Sequence, residues 1–116
     1  MDINRVIHIA VEAGRIMLEN GAETYRVEET IYRICNAYNI NEADSFVTPT
    51  GIMVSVANNY GQTISLIKRI KVRTVDLEKI SLINDLSRSI TIEAITLDSF
   101  EENLKKIDNE KKYSNS

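Results

Sequence analysis

The chain has 116 residues and a formal net charge of −3, with 43% hydrophobic and 27% charged residues. This length fits one compact domain, and the composition is that of a globular protein that folds without disulfides or a structural metal. The negative charge disfavours general attraction to nucleic acid, so no nucleic-acid partner is expected. No stretch approaches the roughly 20 apolar residues of a membrane span, and charges interrupt the apolar N-terminal stretch as they would not in a signal peptide.

Apolar residues recur at helical spacing over the first 38 residues. The stripe from about Ile3 to Asn20 predicts a helix that ends at Gly21, because glycine tolerates the left-handed conformation common at helix ends. A second apolar face, from about Glu23 to Tyr38, predicts a helix whose acidic first half suits the positive end of the helix dipole. We expect the two helices to form an antiparallel pair joined by a tight turn.

Short segments rich in branched residues follow, and turn-forming residues separate them. The three predicted strands are Ser45–Thr48, Ile52–Ala57 and Thr63–Arg69. Pro49-Thr50-Gly51 supplies the first turn and Asn58-Asn59-Tyr60-Gly61 the second. Alternation along the middle segment gives the sheet one strongly apolar face. The pattern predicts an antiparallel three-stranded meander.

Helical spacing returns in the last third of the chain. Asp76 is a favourable N-cap residue, and the apolar stripe after it consists of Leu77, Ile80, Ile83, Leu86 and Ile90. Neither glycine nor proline marks where this helix ends, and a last helix is predicted to begin after Thr96. The order of helix pair, three-stranded antiparallel meander and helix pair predicts an α+β fold. Residues 1–108 are expected to form a single soluble domain, and residues 109–116 a polar tail.

Few residues in the chain carry catalytic chemistry. His8 is the only histidine and Cys35 the only cysteine, and no phosphate-binding or dinucleotide motif is present, so neither a metal nor a cofactor is expected. Cys35 lies on a predicted buried face and is expected to fill space in the core. The hydroxyls of Thr48, Thr50 and Ser55 are candidate nucleophiles if a base such as His8 lies close to them. The alternative for Thr48 and Thr50 is that they are ordinary strand-end and turn residues.

Two surface features point to partners. One is a basic run of Lys68, Arg69, Lys71 and Arg73, which suits phosphates or acidic lipid headgroups, or simply a solvated strand end that protects the sheet edge. The absence of interleaved aromatic residues favours the strand end. The other is the second face of the meander, with Met53, Ser55, Ala57 and Ile67. It is apolar enough to predict a homo-oligomer.

Three segments, in this order, resemble the threonine/serine exporter family. They are Gly21–Thr30, Phe46–Ser55 and Arg73–Ile80, which are similar to the family's signature at the second helix, its first hairpin, and the arginine and aspartate motif that opens its third helix. The polar side chains within them are the candidate substrate-binding residues: Thr24, Arg26, Glu28, Thr48, Thr50, Ser55, Arg73 and Asp76. The sequence departs from the family pattern where a glycine break is expected before the last helix.

The resemblance implies a membrane protein whose cytoplasmic N-terminal domain precedes several transmembrane helices, which would lie beyond Ser116. The expected role is regulation, gating or assembly of a threonine/serine or small organic-acid exporter at the cytoplasmic face of the cell membrane. The implied partners are the downstream transmembrane region and, as in a related two-component branch, a second small membrane subunit. A likeness of the family domain to hydrolases implies the alternative, an enzyme acting on a small substrate.

The C-terminal lysines are compatible with a position beside a membrane span. Lys105 and Lys106 are followed by Lys111, Lys112 and Tyr113, and lysine next to a span favours the cytoplasmic side while tyrosine suits the interface. The alternative is a charged helix end followed by a disordered tail.

Overall fold

Four helices and one sheet follow each other along residues 2–110, the part of the chain that the computed structural model describes. The elements are α1 (Ile3–Glu19), α2 (Thr24–Ala37), β1 (Glu42–Thr48), β2 (Gly51–Ala57), β3 (Thr63–Arg69), α3 (Leu77–Glu93) and α4 (Leu97–Asn109). The predicted α+β fold and its order of helix pair, meander and helix pair are confirmed. Lys111, Lys112 and Tyr113, which the sequence analysis places beside a possible membrane span, lie outside the described residues.

The first helix pair is joined by the tight turn that the sequence predicts. Gly21 has a φ of +101°, a left-handed conformation that favours glycine. A side chain at this position would also lie 3.4 Å from the carbonyl oxygen of Thr74. The turn therefore needs glycine for its backbone angle and leaves room for a second segment to pass close by.

The sheet is an antiparallel meander in the order β1-β2-β3. Its inner face is apolar, since Ile52, Val54 and Val56 are all buried and lie on one side of β2 as the alternation predicts. Strand β1 begins at Glu42, three residues before the predicted start, because its N-terminal half pairs with the end of β2 as far as Ala57.

The core is formed between the helices and the inner face of the sheet. Phe100 of α4 is fully buried, and its ring lies 6.3 Å from that of Tyr38 in a T-shaped arrangement. Cys35 is buried, as predicted, and burial raises the pKa of its thiol to about 11. The predicted stripe on α3 is wrong at Leu77, whose side chain is 69% exposed. Leu77 is the first helical residue, and it lies beyond the edge of the core.

The third helix ends without the glycine that the family pattern leads one to expect. Ala94 adopts a left-handed conformation with a φ of +49° and donates its N–H to the carbonyl of Ile90. This conformation costs an alanine about 1–2 kcal/mol, and the buried side chains of Ile90 and Leu97 on either side hold the corner in place. The break between α3 and α4 is therefore present, but an ordinary residue supplies it.

Candidate functional site

The three family-like segments meet at one end of the domain. The side chain of Glu28 on α2 accepts a hydrogen bond from the N–H of Val47 on β1, at 3.0 Å. The segment 70–76, which links β3 to α3, donates from Thr74 to the carbonyl of Glu19 at 2.7 Å and from Asp76 to the carbonyl of Asn20 at 2.9 Å. These contacts join parts of the chain that are 19 residues apart in one case and 55 and 56 residues apart in the other two.

The turn between β1 and β2 belongs to the same end. The carbonyl of Thr50 accepts from the N–H of Ile70 at 2.9 Å, which joins the turn to the segment 70–76. We call this surface the motif end: the C-terminal end of α1, the start of α2, the β1–β2 turn and the segment 70–76. Its backbone contacts leave the polar side chains of the three segments to shape the surface.

The candidate hydroxyl residues separate into two groups. The hydroxyl oxygens of Thr48 and Thr50 lie 3.5 Å apart in the turn, and Thr48 Oγ1 accepts from the N–H of Thr50 at 3.3 Å. Ser55 lies on the outer face of the sheet, where Ser65 donates a hydrogen bond to its hydroxyl at 3.2 Å. Four residues of strand, or roughly 13 Å, separate Ser55 from Gly51 at the turn. Thr48 and Thr50 therefore belong to the motif end and Ser55 does not.

Two of the candidate charged residues have structural partners. Asp76 caps α3 by accepting from the N–H of Lys79 at 3.1 Å, as its position in the sequence predicts. Glu28 holds β1 against α2 through the bond to Val47. These structural roles explain both carboxylates, and neither role involves a bound ligand.

The other charged candidates point away from the protein. Arg26 and Arg73 are exposed, and within residues 2–110 neither side chain takes part in an ion pair. Thr24 is half-buried at the first position of α2. The motif end thus offers two arginines to whatever lies against it.

His8 faces a different part of the molecule from the candidate nucleophiles. Its Nδ1 lies 2.8 Å from the carbonyl oxygen of Asn4, and its side chain lines a groove between α1 and α4. Eleven residues of helix, or roughly 16 Å, separate it from Glu19 at the motif end. The fold does not bring this imidazole to Thr48 or Thr50.

The groove between α1 and α4 contains an ion-pair network that the sequence did not single out. The groove encloses a cavity of about 160 Å³, and Arg15 on its wall bonds to Glu12 at 3.0 Å, Glu19 at 2.6 Å and Asp108 at 2.9 Å. Partial burial opposes the charge, but the carboxylates raise the pKa of Arg15 above its ordinary value. The spacing of Arg15 and Glu19 is a recognisable helical pair, whereas Asp108 is 93 residues away and leaves no local signal.

The same network fixes the end of α4. Lys79 of α3 donates to the backbone carbonyl of Asp108 at 3.0 Å, while Arg15 of α1 binds the Asp108 side chain. Arg15 precedes Glu19 and Asn20, which bond to the segment 70–76, and Lys79 lies three residues after Asp76, the last residue of that segment. The last turn of α4 is therefore fixed beside the motif end.

Within residues 2–110 no group of three or more histidine, cysteine, aspartate or glutamate side chains is arranged to bind a metal ion. Over the same residues, no helix has the length and apolarity needed to cross a membrane.

Fold and site together define a small α+β domain whose distinctive surface is built from three separated segments. A family model described as "Putative threonine/serine exporter" matches residues 8–116. The chain therefore belongs to the threonine/serine exporter family, as the three segments predicted. No curated protein and no solved structure shows significant similarity to it.

Proposed function

We propose that this chain is the cytoplasmic domain through which a threonine/serine exporter, or a related small organic-acid exporter, is regulated, gated or assembled. The observation that carries the proposal is the convergence of the three family segments at the motif end, beside the last turn of α4. Family membership supports transport as the process. The implied partners are a transmembrane region that follows α4 in the full protein and a second small membrane subunit.

The geometry supports coupling between the motif end and whatever follows α4. Asp108 connects α4 to both α1 and α3. The C-terminal end of α1 bonds to the segment 70–76 at Glu19 and Asn20, and α3 follows that segment directly, with Asp76 as its N-cap. A partner that moves the segment 70–76 would therefore also act on the end of α4 through these hydrogen bonds and the ion pair. This arrangement suits gating better than catalysis, because His8 lies away from Thr48 and Thr50.

Replacing Arg73 with glutamine in the full-length exporter is expected to reduce threonine or serine export several-fold while leaving the fold intact. Arg73 is exposed and forms no ion pair within residues 2–110, so its loss changes the stability by less than about 0.5 kcal/mol. Efflux from cells preloaded with labelled threonine measures the effect.

Arg88→Gln is the matched control, because Arg88 is an exposed arginine on α3, about three turns after that helix begins at Leu77. Equal export by the wild type and both variants would count against a role for the motif end. The gene itself offers a more direct test. A stop codon after Ser116 with no neighbouring membrane-protein gene would contradict the proposal.

A second candidate function, homo-oligomerisation, is favoured by the outer face of the sheet. Phe46, Met53 and Ile67 lie side by side across the three strands, and they are 61%, 46% and 70% exposed. Such a row of large apolar side chains is typical of a covered surface. Ser55 and Ser65 form the adjacent row.

The charges around this apolar row fit a second copy of the chain. Glu42 and Asp44 are exposed at one corner of the outer face, on β1, while Arg69 is exposed at the opposite corner, on β3. Two copies can face each other sheet to sheet, related by a two-fold axis that passes between them over Met53. When this axis runs along the other diagonal of the sheet, it places the acidic corner of each copy against the basic corner of the other. Isologous dimers require this kind of self-complementarity.

The double variant Phe46→Ser/Ile67→Ser is expected to weaken this dimer by at least about tenfold, because each anchor contributes roughly 1 kcal/mol or more at a desolvated interface. Sedimentation velocity over a range of concentrations measures the dissociation constant. Ile92→Ser serves as the control, since Ile92 is 81% exposed on α3 and away from the sheet. A wild-type chain that stays monomeric at millimolar concentration would contradict the proposal.

A further inference from the structure

Residues 68–77, which include the segment 70–76, form a basic strap on a chain with an overall negative charge. Between positions 68 and 77 the sequence has four cations and a single carboxylate, a local charge of +3 against −3 for the whole chain. The carboxylate, Asp76, is engaged as the cap of α3. None of the four cations, Lys68, Arg69, Lys71 and Arg73, forms an ion pair within residues 2–110.

Large apolar side chains are interleaved with these cations. Val72 is 64% exposed, Val75 62% and Leu77 69%. Tyr25, at the start of α2, is 51% exposed, and the turn that precedes this helix passes close to Val75, whose Cα is 3.8 Å from the position of a side chain at Gly21. Only Ile70 among the apolar residues of the strap is buried. The strap therefore presents both charge and apolar surface outward.

We propose that the motif end docks onto the surface of a membrane that contains anionic phospholipids. Cations attract the acidic headgroups, and exposed valine, leucine and tyrosine side chains enter the interfacial region, the combination that surface-bound segments use. Arg26, in the first turn of α2, adds a further exposed cation that forms no ion pair within residues 2–110. A nucleic acid is a poorer fit, because the strap itself has no aromatic side chain and Tyr25 offers a single ring on which a base could stack.

The course of α4 supports this orientation. Its last turn is fixed beside the motif end by Arg15 and Lys79, so α4 ends on the side of the domain that carries the strap. A chain that continues into a membrane would then meet the bilayer where the charge and the exposed apolar side chains already face it. This step rests on the proposed membrane context, whereas the lipid preference of the strap does not.

Vesicle co-sedimentation of the 116-residue chain tests the proposal without any exporter present. We expect binding to vesicles of phosphatidylcholine with one quarter phosphatidylglycerol, little binding to pure phosphatidylcholine, and loss of binding as salt is raised. Arg73→Gln is expected to lower the partition coefficient about fivefold, since each cation near an anionic surface contributes about that factor. Val72→Ser is expected to lower it as well, through loss of the apolar contact.

The controls are matched in chemistry and differ in position. Arg88→Gln and Ile92→Ser remove an exposed cation and an exposed apolar side chain from α3 away from the strap, and both are expected to bind as the wild type does. Absence of binding, equal binding to the two kinds of vesicle, or equal losses in the strap and control variants would each overturn the proposal. Because no transport is measured, a failure here is distinguishable from a failure of the exporter role.

Discussion

Replacing Phe100 with alanine is expected to lower the free energy of unfolding by about 3–5 kcal/mol. The side chain is fully buried, and its removal leaves a cavity next to Tyr38 while deleting the central apolar contact of α4. Leu97 and Leu104 are the other buried side chains of that helix, so Phe100 supplies a large part of its apolar contact with the core. Since small domains are stable by about 5–15 kcal/mol in total, this single change removes a large share of the stability. Urea unfolding followed by circular dichroism measures it.

The chain has its own control for this experiment, because its other phenylalanine, Phe46, is exposed on the sheet. Phe46→Ala is expected to change the stability of the monomer by less than about 0.5 kcal/mol. Measurements at low protein concentration keep any dimer out of the comparison. Equal losses for the two variants would contradict the placement of Phe100 in the core and of Phe46 outside it.

Periodicity predicted the framework of the fold because burial follows a local rule in most elements. The stripes on α1 and α2 and the alternation along β2 each place a continuous apolar face on one side, and the structure buries those faces. The rule failed at Leu77, because whether the first turn of a helix touches the core depends on where that helix lies. It also could not predict the left-handed conformation of Ala94. Neighbouring buried residues impose that conformation, and nothing about an alanine in the sequence indicates it.

The candidate site was predictable only in its parts. The three segments could be recognised one by one, and the capping role of Asp76 follows from its type and position. Their meeting at one end of the domain depends on contacts between distant residues, such as Thr74 with Glu19 and Thr50 with Ile70. The contacts of Asp108 with Arg15 and Lys79 could not be predicted for the same reason. The fold thus supplies the spatial relation, and the sequence supplies the residues.

Glu28→Ala is expected to destabilise the domain by about 1–3 kcal/mol, even though the residue is only half-buried and stands within a family segment. Strand β1 is an edge of the sheet, and the N–H of Val47 points away from β2 to the Glu28 carboxylate. Val47 is buried, so an unpaired N–H at this position costs about that much free energy. Glu28→Gln is expected to recover most of the stability, because its amide oxygen still accepts the hydrogen bond.

Comparing these variants separates a structural role for Glu28 from a role in binding substrate. Glu29→Ala is the control, since the neighbouring carboxylate is exposed on α2 and should change the stability by less than about 0.5 kcal/mol. If Glu28 serves only to hold β1 against α2, Glu28→Gln keeps both the fold and the export activity. If the carboxylate also binds a transported amino acid or acid, Glu28→Gln folds normally but exports less. A Glu28→Ala variant as stable as Glu29→Ala would show instead that the bond to Val47 contributes nothing, which would leave α2 and β1 joined by apolar contacts alone.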